Sequence, residues 1–139
     1  MTAFLTLLLQ TTLLAFGLLK FTPLNTHRGI WYDVAACLEV AAPRPDAFAW
    51  FVADSIISED GMYAYGMTSF PASGTPSIIL ERAYALNTAV ISHEVIHVLT
   101  HDTTHVGPAW ECVMDDGVFL PVRQREAEGA STYITTATR

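Results

Sequence analysis

Two histidines and a glutamate at His93, Glu94 and His97 form an H-E-x-x-H sequence inside the apolar run 89–99. On an α-helix, positions four apart share one face a turn apart. Both imidazoles can then reach a single zinc ion, while Glu94 lies beside the remaining coordination position. The chemistry this arrangement suits is hydrolytic. Zinc held by three protein ligands keeps a water, lowers its pKa to about 7, and leaves a neighbouring carboxylate to take the proton as the water attacks a carbonyl. Glu94 is therefore the expected general base and not a ligand.

The element that must carry these groups is a buried helix. Thr88, Ala89, Val90, Ile91, Val95, Ile96, Val98 and Leu99 make it apolar over most of its surface, and Asn87 is placed to cap its N-terminus. Polar side chains in such a helix need partners. His101 lies one further turn beyond His97, so a continuing helix would set His93, His97 and His101 in a row that cannot close around one ion. The chain must turn back. Thr100, Thr103 and Thr104 favour an end near Asp102, and Gly107-Pro108 enforces a break, which brings His105 under the motif as the expected third ligand. Glu111, His101 and Asp102 are the other candidates. His101 also reads as a solvated residue at a helix C-terminus, and Asp102 as a group that orients a ligand histidine.

Around the helix the pattern suggests strands. Residues 31–40 are rich in aromatic and β-branched types and read as a first strand ended by Pro43 and Pro45. Residues 48–57 suit a strand or a helix, with the strand preferred, 62–70 a third strand, and 77–81 a short strong strand just ahead of the motif helix, with 71–76 as a loop. Pro108 to Met114 reads as a short helix opened by proline, 115–117 as a turn and 118–122 as a last strand. Several strands followed by a metal-bearing helix imply an α+β domain, a small mixed sheet packed on that helix. If residues 78–81 form the sheet edge over the metal, an extended peptide can add there; an interior position is the equal alternative.

The chain of 139 residues suits one compact domain, taken as 31–122. Residues 1–20 hold no acidic residue, with Lys20 the first charged side chain, and are dominated by leucine and phenylalanine. They read as an N-terminal transmembrane anchor or signal segment, about 27 Å long as a helix. Residues 21–30, with Pro23, Asn25 and Gly29, read as a linker, and 123–139 as a tail poor in large apolar residues. Beyond residue 20, six Lys and Arg face 14 Asp and Glu, a balance of −8 that disfavours nucleic acid as a partner.

Taken together, the strand, the H-E-x-x-H helix, His105 shortly beyond it, then Pro108, Trp110 and Cys112 resemble small exported or membrane-anchored bacterial zincin-type metalloproteases over residues 31–115. The resemblance implies a zincin-like fold, a zinc cofactor, peptide-bond hydrolysis, His105 as third ligand, and a domain in the periplasm, anchored to the inner membrane or secreted. Its partners would be a peptide or protein substrate and the membrane. In an exported domain the two cysteines, Cys37 and Cys112, suggest a disulfide closing a loop of about 75 residues, worth about 3 to 4 kcal/mol. Two buried thiols are the alternative. A second functional class stays open: a noncatalytic subunit of a membrane protein complex that keeps a zincin-like domain as a structural module.

Overall fold

The computed structural model describes residues 14–57, 61–115 and 118–119. Its elements are β1 (Leu14–Phe16), β2 (Leu19–Phe21), α1 (Asn25–Leu38), β3 (Ala49–Ala53), β4 (Ser55–Ile57), β5 (Gly66–Ser69), β6 (Ser77–Glu81), α2 (Thr88–Thr100), β7 (Met114–Asp115) and β8 (Val118–Phe119). Short 3-10 turns lie at Pro45–Ala47, Arg82–Tyr84 and Pro108–Cys112. The central sheet has the order β2-β3-β6-β5. β3 and β6 run parallel, and the outer strands are antiparallel to their neighbours. This is a small mixed α+β fold, as the order of elements implied.

The two inner strands explain the layering. Alternate side chains of a strand leave opposite faces, so the unbroken apolar runs in β3 and β6 must be covered on both. On one face Trp50, Ile78 and Leu80 pack against Ile30, Trp31 and Val34 of α1 and Val90, Ile91, Val95 and Ile96 of α2. On the other, Phe51, Ala53, Met67 and Ile79 are covered by Ala15 and Ile56, which belong to the antiparallel ribbon β1–β4. Trp31 and Trp50 are fully buried, and each indole N–H still donates, to the carbonyl oxygens of Pro43 and Pro45.

Two expectations are corrected and one open alternative is decided. Residues 31–40 do not form a strand: they belong mostly to α1, which starts at Asn25 within the expected linker and runs through Gly29. Its buried residues His27, Ile30, Trp31, Val34 and Ala35 follow the helical period, while Tyr32 and Asp33 face solvent. That spacing outweighs the strand preference of the individual residues. The helix ends at Glu39 in the left-handed region (φ 57°). Second, residues 14–20 of the apolar N-terminal segment contain β1 and the start of β2, with Gly17 at φ +67° between them. They pair with β4 and β3 instead of extending a helix. Residues 1–13 lie outside the described residues, and among the described residues no helix is long and apolar enough to cross a membrane. Of the two positions left open for residues 78–81, β6 takes the interior one, hydrogen-bonded to β3 on one side and β5 on the other, so β5 ends the sheet among the described strands.

Cys37 at the end of α1 and Cys112 in the third 3-10 turn are joined in a disulfide, with Cα atoms 5.8 Å apart and 75 residues between them in sequence. β8 covers the start of the expected last strand; residues 120–122 and the tail 123–139 lie outside the described residues.

Candidate metal centre

α2 forms where the sequence placed it. The Asn87 side chain accepts a hydrogen bond from the Val90 N–H at 3.0 Å, satisfying one of the free donors of the first turn. Ten consecutive residues from Ala89 to Val98 are buried, His93, Glu94 and His97 among them. The helix stops at His101, which adopts the left-handed conformation (φ 51°), and Asp102 N–H returns to the His97 carbonyl at 3.2 Å. The chain then reverses. The Asp102 carboxylate accepts from Thr104 N–H at 2.8 Å, and Gly107 at φ +101° turns it into the Pro108–Cys112 segment.

That reversal brings His105 to His93 and His97, and the three form a group able to hold a metal ion. His97 Nε2 lies 3.2 Å from His93 Nε2 and 3.1 Å from His105 Nε2. Ligand nitrogens about 2.05 Å from a tetrahedral zinc stand about 3.3 Å apart, so the two separations from His97 suit a shared cation, and all three ligand atoms lie within 4.8 Å of one another. The tautomer agrees. His97 Nδ1–H donates to the Asp102 carbonyl oxygen at 2.6 Å, which leaves the Nε2 lone pair pointing into the group. Trp110 walls one side, its ring centroid 4.7, 4.9 and 5.2 Å from those of His93, His97 and His105. The disulfide at Cys112 ties the segment that carries it to α1.

Electrostatics favour neutral imidazoles. Burial, reinforced by the neighbouring rings, pulls His93 well below the ordinary histidine range. Burial takes His97 down to about 4, opposed by its bond to the Asp102 carbonyl, and His105 is lowered by burial against the pull of Asp102. A neutral ring is the form that binds a metal. Glu94 moves the other way: burial raises its carboxyl well above the usual range, and the Thr68 hydrogen bond only partly offsets this. Its Oε2, 4.0 Å from His93 Nε2, has no hydrogen-bond partner among the described residues. With His93 neutral, that approach is not an ion pair.

The other candidates for third ligand stand elsewhere. His101 is exposed with its ring 4.7 Å from that of Phe70, consistent with a solvated helix C-terminus. Glu111 is exposed and outside the group. Asp102 acts on the site through its backbone carbonyl, not its carboxylate. Two contributors had no signal in the motif's own spacing. Thr68 Oγ1 lies 2.7 Å from Glu94 Oε1 and 3.3 Å from the Glu94 carbonyl oxygen; with one hydroxyl proton, the shorter contact takes it when the carboxylate is charged. A Cβ on Gly66 would stand 3.2 Å from Glu94 Cγ and Oε2 and 3.0 Å from Val90 Cγ1, so any larger residue here would require Val90 and Glu94 to give by a few tenths of an ångström. The G-x-T pattern that places both on one face of a strand is legible only once that strand is known to pack on α2. Comparison of the chain with protein families, with curated proteins and with solved structures finds no match in any of the three.

Proposed function

We propose that this protein is a zinc-dependent peptidase of the zincin-like kind, with His93, His97 and His105 as metal ligands and Glu94 as general base. The observation that carries the reading is the buried Glu94 carboxylate, whose unpartnered Oε2 lies 4.0 Å from Nε2 of His93, one of three converging histidines. A zinc ion bound there would supply Lewis acidity toward a water and a substrate carbonyl. Glu94 would accept the water proton on Oε2 as the new C–O bond forms and return it to the amine nitrogen as the C–N bond breaks. Its raised proton affinity suits both halves of that cycle.

Among the described residues three donors converge and not four, which favours hydrolysis over a purely structural metal, since a catalytic site keeps one position open. Export is part of the same reading, and the Cys37–Cys112 bond supports it, because structural disulfides persist in oxidising compartments.

The test uses the zinc-loaded protein and a mixed peptide library read by mass spectrometry. The parent is expected to cleave, Glu94→Gln to bind zinc without cleaving, and His93→Ala to lose zinc. Cleavage by Glu94→Gln at the parental rate would remove the mechanism, and a parent that binds no zinc would remove the site.

A further inference from the structure

Glu94 is one position away from a ligand, on a helix whose sheet-facing side is closed by β5. Gly66 and Thr68 of that strand are two residues apart and stand opposite Leu80 and Ile78, whose side chains face the helices. Both therefore address the same carboxylate. Gly66 leaves room beside its Cγ and Oε2, and Thr68 Oγ1 holds Oε1 at 2.7 Å. With Oε1 occupied, the carboxylate cannot turn about its terminal torsion without breaking a buried hydrogen bond, and Oε2 is left as the oxygen beside the histidines.

We propose that Thr68, seated by the close approach that Gly66 permits, is the positioning residue for Glu94: it keeps one carboxylate oxygen committed so that the other stays beside the metal group without joining it. This rests on the reading of Glu94 as base. An acidic side chain adjacent to a ligand histidine is itself a good metal donor, and a carboxylate that swings onto the ion would fill the position a water needs. The hydroxyl on β5 opposes that swing. A 1 Å misplacement of a catalytic group costs on the order of a hundredfold in rate, so the restraint acts on turnover more than on substrate binding.

Cobalt(II) is the probe, because its visible bands report the number and type of ligands without any substrate. Thr68→Val keeps the shape of the side chain and removes the donor; Thr68→Ser returns the hydroxyl. The cobalt-loaded Thr68→Val protein is expected to show bands changed in position and intensity from the parent, Thr68→Ser to restore the parental bands, and Thr68→Val combined with Glu94→Gln to match Glu94→Gln alone. On a cleaved peptide, kcat should fall about tenfold to a hundredfold in Thr68→Val with KM within about twofold, and Thr68→Ser should recover it to within about threefold. Far-UV circular dichroism checks that each variant folds, and Thr68→Ala, which also lacks the donor, carries the comparison if the valine variant does not. Parental bands and kcat in Thr68→Val would overturn the positioning role while leaving the metal site intact. A parent that binds no cobalt would instead overturn the reading beneath it.

Discussion

Acid should unfold the metal-free protein over a window set by its buried histidines. His97 is held at about 4, against about 6.5 in an unfolded chain. Between those values the unfolded state binds a proton that the folded state refuses. The contribution of His97 is therefore complete above pH 6.5 and is lost as pH falls toward 4. At about 1.4 kcal/mol for each tenfold difference in proton affinity, the full loss is about 3 kcal/mol, of which about 2 kcal/mol is gone by pH 5. His93, His105 and His27 are lowered by burial as well and act with the same sign. Glu94 opposes them, because a carboxyl raised by burial is relieved as it protonates. The clean measurement is consequently made in Glu94→Gln, stripped of metal with a chelator, by urea unfolding followed on tryptophan fluorescence at pH 7.5, 6.5, 5.5 and 5.0. Stability should drop by at least about 2 kcal/mol across that series, equivalent to roughly 5 to 10 °C in Tm. Asp46 and Asp102, both lowered, titrate below this window and do not confuse it. A change under about 0.5 kcal/mol from pH 7.5 to 5.0 would refute the reasoning: His93 and His97 would not then be buried neutral donors, and no preformed metal group would exist.

Three further outcomes follow from the same geometry. His105→Ala should weaken zinc binding by at least about a hundredfold in a competitive chelator titration, whereas His101→Ala should change it by less than about threefold; the reverse order would reassign the third ligand. Replacing Cys37 and Cys112 together by serine should lower unfolding free energy by about 4 kcal/mol for a loop of this length, and a loss under about 1 kcal/mol would show that the packing of Trp110 and Met114 holds that segment without the bond. Gly66→Ala should cost about 1 to 3 kcal/mol in thermal or urea unfolding, because its Cβ meets Val90 and Glu94 in a packed interior; full stability would mean that β5 can withdraw from α2.

The local chemistry of the site was legible in the chain. The H-E-x-x-H spacing, Asn87 as cap, the stop near Asp102 and the return of His105 all follow from helical period and turn residues acting within 20 positions of one another. The strands at 49–53 and 77–81 were legible for a similar reason, since unbroken apolar runs need cover on two faces, whereas the break at Asp54 that sends residues 55–57 into a separate ribbon was not. Residues 31–40 were misread because their aromatic and β-branched composition favours a strand, while the helical spacing that decides the matter starts earlier, at His27, in a stretch whose Pro23, Asn25 and Gly29 suggest a linker.

What only the tertiary structure decided is which distant residues meet. Spacing within α2 places Glu94 beside two histidines, but nothing near it in sequence says that Gly66 and Thr68 will close over its carboxylate or that Trp110 will wall the rings. Strand order likewise is a property of the assembled sheet: β6 carries the stronger strand signal, yet β5 takes the edge because β6 is already paired on both sides. Short-range spacing acts through fixed backbone geometry and can be read from the chain, whereas long-range partners are chosen by packing, which exists only once the sheet and both helices share one core.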